Sequence, residues 1–209
     1  MKQYIREWQQ RIGVTADGIF GPATLRKSQE IYDISRSVNE EDALSEEDNP
    51  FFVRDHYLWK AGKMVTQKPS PNFSGGANIP EIIVIHYTGS NSSAGALSWL
   101  TQAGSGVSAH LLIGKGGEAW QLLPFHRRAW HAGKSEYKGI SGVNNFSIGI
   151  ENVGIGDEWP EAQVEANRLI IQALREAYHI IDVVGHADVA IPKGRKSDPG
   201  PLYPWEEVS

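Results

Sequence analysis

Apolar and polar positions change period several times along this chain. Tyr4, Ile5, Trp8 and Ile12 recur at the spacing of one helical face, and Gly13 is placed to end that helix. Asp17-Gly18 marks a tight turn, and Gly21-Pro22 starts a second helix with proline near its first position. Leu25 and Ile31 are spaced to face back onto the first helix. Further on, the unbroken run IIVI at 82–85 predicts a buried strand. Residues 111–113, the turn Gly114-Lys115-Gly116-Gly117 and residues 119–123 read as a hairpin. Residues 146–150 and 180–184 read as strands. Between them, 160–178 is the best helix, with Ala166, Leu169, Ile170, Ala173, Leu174 and Ala177 at helical spacing. Pro160 and Glu161 suit its first turn.

These elements predict an α/β fold with a mixed central sheet flanked by helices, plus a small N-terminal helical module. The expected division is a module over 1–34, an acidic linker over 35–54 and the main domain over 55–209. Six acids fall in that linker with no base between them: Glu40, Glu41, Asp42, Glu46, Glu47 and Asp48. Phe51 and Phe52, at its end, are expected to dock on the domain that follows. The formal charge of -5 is therefore local, and the rest of the chain stands at about +1. No basic stripe suggests a nucleic-acid partner. No apolar stretch approaches the ~20 residues of a membrane span. The N-terminus MKQYIREWQQ lacks the apolar run of a secretory leader. Cysteine is absent, so any metal must use His, Asp or Glu.

Candidate chemistry gathers at the predicted strand ends. His86 follows IIVI, and His186 follows Val183, Val184 and Gly185. Two strand-end histidines without cysteines suit a catalytic zinc site, which takes three protein ligands and leaves one position for water. Each is otherwise a hydrogen-bonded turn histidine. Asp198, before Pro199, is either the third ligand or a turn residue. Glu151 ends FSIGIE and is either a proton shuttle or a solvated strand end. Lys196 either supports an oxyanion or is an ordinary loop lysine. No GxSxG, HExxH or phosphate-loop motif is present.

The segments IIVIHYT, VSAHLLIGKGGEAWQLLPF, RRAWHAGKSEYKG, NNFSIGIE and GHADVAIPKGRKSDPG run in order from about Ser70 to Trp205. Together they resemble the AmpD type of N-acetylmuramoyl-L-alanine amidase, within the type-2 amidase and peptidoglycan-recognition fold. The resemblance implies Zn2+ held by His86, His186 and Asp198. It implies Glu151 as catalytic acid/base, Lys196 as transition-state lysine, and Trp130 and His131 as substrate-cleft residues. The implied reaction is hydrolysis of the bond between N-acetylmuramic acid and L-alanine, on peptidoglycan or a muropeptide. Two departures stand out: the loop from His186 to Asp198 is longer, and Ala109 occupies a position where phage-lysozyme-like relatives carry a catalytic tyrosine. REWQQRIGVTADGIFGPATL resembles one unit of a peptidoglycan-binding module. That module favours a lytic, endolysin-like role on the cell wall, reached by a leaderless route. The alternatives are cytoplasmic recycling of anhydro-muropeptides and non-catalytic recognition.

Overall fold

The computed structural model describes residues 2–18, 24, 26–28, 30 and 49–208. The turn at Gly21-Pro22, the packing of Leu25 and Ile31, and the acidic run from Glu40 to Asp48 lie outside them. Helix α1 (Lys2–Arg11) buries Trp8 and, just past its end, Ile12. The buried Gln9 side chain ties this helix to the turn that follows. Its Nε2 donates to Asp17 and Thr24, and its Oε1 accepts from the Gly18 backbone N–H at 2.8 Å. Gly18 adopts φ +76°, a left-handed conformation that favours glycine.

The main domain opens with three antiparallel strands, β1 (Phe51–Arg54), β2 (Tyr57–Lys60) and β3 (Lys63–Met64), and a short edge strand β4 (Thr66–Gln67). Then follow β5 (Phe73–Ala77), β6 (Ile82–Tyr87), α2 (Ser93–Thr101), β7 (Leu111–Ile113), β8 (Ala119–Gln121) and β9 (Arg127–Ala129). A two-stranded pair, β10 (Glu136–Tyr137) and β11 (Ile140–Ser141), precedes β12 (Ser147–Asn152). Helix α3 (Glu161–Ala177), β13 (Asp182–Gly185), and the short helices α4 (His186–Val189) and α5 (Trp205–Val208) complete the chain. The central sheet has the order β13-β6-β12-β7-β8-β4. Its first four strands are parallel, β7 and β8 form an antiparallel hairpin, and β4 returns parallel to β8. This is the expected mixed sheet.

Both faces are covered, which explains the uninterrupted apolar run in β6. Ile83 and Ile85 face α3, in one core with Ile148, Ile150, Ile170 and Leu174. Ile82 and Val84 face the other way, against Phe146, Val143 and Val189. Ile5 of α1 packs on that second cluster, and Arg11 pairs with the buried Glu81. Helix α3 also buries two polar residues that its apolar spacing did not mark. Gln163 donates to the Ile113 and Val153 carbonyls, and Asn167 donates to Asn152 Oδ1 at 2.7 Å. Among the described residues no helix is long and apolar enough to cross a membrane.

The expected linker over 35–54 ends earlier than predicted. Phe51–Arg54 is a strand, and Phe51 is buried in the core under α3. The Asn49 side chain donates to the Leu169 carbonyl of α3 and accepts from the Phe51 N–H. Burial of Phe51 contributes on the order of 2 kcal/mol to drawing this segment into the domain, beside its pairing with β2 and the Asn49 hydrogen bonds. Ile170 is fully buried at the centre of the same core. Replacing it with alanine is expected to cost about 2–5 kcal/mol of unfolding free energy, read from urea melts of the whole chain.

Candidate metal centre

Three adjacent parallel strands deliver three side chains to their carboxyl ends, the edge where open α/β sheets place ligands. In the register of β12 and β6, Glu151 pairs with His86. On the other side, β13 pairs with β6 up to Gly185 and Ile85, so His186 follows at the level of His86. Gly185 has no room for a side chain: a Cβ there would stand 2.7 Å from Pro199 Cδ. That closeness lets the loop carrying Asp198 fold over the strand end, where the Ala187 N–H donates to the Asp198 carbonyl at 2.9 Å. Arg195 pins the same loop by donating to the carbonyls of Ile191, Ala132 and Lys134. The longer loop is therefore anchored, and Lys196 lines the same cavity as Glu151.

His86 Nδ1, His186 Nδ1 and Asp198 Oδ2 form a triangle with every side 3.0 Å. All three residues are buried. His186 Nε2 donates to the Ala132 carbonyl at 3.1 Å, since a carbonyl only accepts. In a neutral ring this leaves His186 Nδ1 as a bare lone pair aimed into the triangle. Burial lowers the pKa of His86 to about 4, against the pull of Asp198, so this ring is neutral at pH 7. The His186 lone pair and a carboxylate oxygen, 3.0 Å apart and each 3.0 Å from His86 Nδ1, call for a positive centre between them. Tetrahedral ligands at about 2.0–2.1 Å from zinc stand about 3.3 Å apart, close to this spacing. The donor set fits a metal site.

Glu151 sits beside the triangle. Its Oε2 is buried and, among the described residues, has no hydrogen-bond partner. Burial, and then the negative charge of Asp198, push its pKa up to about 8, while Lys196 pulls the other way. The carboxyl is thus poised to exchange a proton near neutral pH. A cavity of about 700 Å³ opens over these groups, within the range of ligand sites. Trp130 lines it and donates from Nε1 to Ser74 Oγ at 2.6 Å. Trp99, more than half exposed, lines the same cavity and carried no role in the sequence reading. His131 also lines the cavity, but both its ring nitrogens are engaged inside the protein. Ala109 is fully buried, and the neighbouring His110 is bonded at both ring nitrogens to backbone.

A family model described as N-acetylmuramoyl-L-alanine amidase matches residues 76–201. The 1,6-anhydro-N-acetylmuramyl-L-alanine amidase AmpD of Escherichia coli K12 is 44% identical over 102 residues, which are 47% of this chain and 55% of that protein. The chain thus spans about half the length of the curated relatives it matches. The crystal structure of a selenomethionine derivative of AmpD aligns with TM-score 0.61 and 32% identity, over 69% of this chain and 92% of that one. The E. coli amidase AmiD, in complex with anhydro-N-acetylmuramic acid-L-Ala-D-γ-Glu-L-Lys, aligns with TM-score 0.56 and 30% identity, over 76% and 64%.

Proposed function

We infer from the N-acetylmuramoyl-L-alanine amidase family, to which this chain belongs, that it hydrolyses the amide bond between N-acetylmuramic acid and L-alanine. His86, His186 and Asp198 would hold Zn2+. One observation carries the reading: the buried, unpartnered Glu151 Oε2 stands next to a triangle of three metal-competent atoms. Zinc, when bound, supplies Lewis acidity that makes water reactive at neutral pH and polarises the scissile carbonyl. Glu151 takes the proton of the attacking water and returns it to the leaving amine of L-alanine. The Lys196 ammonium meets the negative charge that develops on the carbonyl oxygen. Trp130 walls the cleft. A recognition protein without catalysis has no use for this complete set.

The substrate proposed is wall polymer and its large fragments, a lytic role. Its support is the N-terminal unit resembling a peptidoglycan-binding module, folded around Gln9 and Trp8 and packed on the domain through Ile5 and Arg11. The second reading, hydrolysis of soluble anhydro-muropeptides, is favoured by the similarity to AmpD, a 1,6-anhydro-N-acetylmuramyl-L-alanine amidase. Purified sacculi and soluble anhydro-muropeptide are to be digested side by side. Release of peptide-free glycan from sacculi is expected. A strong preference for the soluble substrate overturns the lytic role and keeps the amidase. Dialysis against a chelator is expected to abolish both activities, and zinc to restore them.

A further inference from the structure

We propose that His131 is a positioning residue that sets the tautomer of the metal ligand His86, as the middle member of a one-way proton chain ending at Val143. This rests on the metal-site reading above. The chain is built from hydrogen-bond directions. Ser147 Oγ lies 2.7 Å from the Val143 carbonyl, which only accepts, so the single hydroxyl proton is spent there. The same oxygen lies 3.0 Å from His131 Nε2 and must therefore accept from it. A neutral His131 protonated at Nε2 offers a lone pair at Nδ1. That atom is 3.0 Å from His86 Nε2, which must then carry a proton and donate it. His86 is left with a bare Nδ1, the atom that faces His186 and Asp198. His131 is buried, and its two ring nitrogens face only Ser147 Oγ and His86 Nε2, so no carboxylate compensates a charge on this ring.

The surroundings hold this ring in place. His131 lies across strand β12 at Gly149, where a Cβ would stand 2.5 Å from its Cγ. Only glycine leaves the slot open. Asn144 Oδ1 accepts from the backbone N–H groups of His131 and Ala132, at 3.2 and 2.8 Å. One short segment then orients both histidine ligands: His131 through its ring, and Ala132 through the carbonyl that accepts from His186. Partners of this kind fix ring orientation and raise ligand basicity, and losing one weakens metal binding ~10–100-fold. His131 thus acts on the metal through His86, and its cleft exposure is incidental.

The test measures zinc affinity of the full chain by competition with a chromogenic chelator, beside the melting temperature of the metal-free protein. His131→Leu and Ser147→Ala are expected to weaken zinc binding ~10–100-fold. Gly149→Ala is expected to do the same by displacing the ring, although it removes no hydrogen-bonding group. His131→Asn, whose Oδ1 can replace Nδ1 as acceptor, is expected to retain most of the affinity. A second measurement needs no variant: long-range 1H–15N NMR of the metal-free wild type is expected to show His86 protonated at Nε2. Wild-type zinc affinity in a folded His131→Leu chain, or His86 protonated at Nδ1, overturns the proposal. A wild-type chain that binds no zinc overturns the metal reading instead.

Discussion

Glu151→Gln is expected to lower kcat by ~10²–10⁴-fold while leaving the metal content of the protein unchanged. The amide fills the same space and touches none of the three ligand atoms. What it loses is the ability of Oε2 to hold a proton, and that oxygen has no other use among the described residues. The pH dependence has a fixed sign. The carboxylate form is the competent base, so activity of the wild type rises with pH through the folded pKa of Glu151. Burial and Asp198 push that value up to about 8, and Lys196 opposes them. A cation in the triangle adds to the effect of Lys196, so the metal-loaded enzyme reaches its plateau at lower pH than about 8. Lys196→Met is expected to move the rising limb of kcat/KM towards higher pH, besides lowering its height. The same linkage predicts a stability effect in the metal-free protein. A carboxyl whose folded pKa is raised favours folding less and less as pH climbs from its ordinary 4.5 to about 8. Glu151→Gln is therefore expected to raise the melting temperature of the metal-free chain at pH 8 and not at pH 4. Unchanged turnover in this variant sinks the role given to Glu151.

The elements with a long, undiluted pattern were legible in the sequence. The run at 82–85 is buried on both faces as β6, and the helix expected over 160–178 is observed at Glu161–Ala177. The short peripheral strands were not. Phe51–Arg54, Tyr57–Lys60 and Thr66–Gln67 are two to four residues long, too short for alternation to register, and the first sits behind an acidic stretch. Their position is fixed by partners far away, such as Gln121, whose Oε1 accepts from the Leu58 N–H. The ligand triangle has the same character. His86 and His186 were visible as strand-end histidines, but nothing local distinguished Asp198 from a turn aspartate. It reaches the triangle through the contact of its loop with Gly185. His131 shows the limit most clearly. Its neighbours in AWHAG suggest a cleft wall, whereas its hydrogen bonds run to Ser147 on β12 and His86 on β6. The direction of a hydrogen bond depends on the whole chain of donors, and no spacing rule contains it.

Asp198→Ala is expected to abolish metal retention altogether, the largest effect of any single change at this site. An imidazole ligand brings no negative charge, so Asp198 supplies the only one in the triangle, and a dication in a buried site depends on it. Its Oδ2 also closes the triangle, 3.0 Å from each Nδ1. Without it the two nitrogens face each other at 3.0 Å with no anion between them. The variant should lose zinc on dialysis against a chelator that leaves the wild type loaded, and elemental analysis reads the difference. Zinc should raise the wild-type melting temperature, by about 4 kcal/mol of added stability at free zinc a thousand-fold above Kd, and leave the variant unmoved. An Asp198→Ala protein that keeps its zinc and its thermal shift overturns this ligand assignment. The hydrolytic role of Glu151 would then need another source of the positive charge beside it.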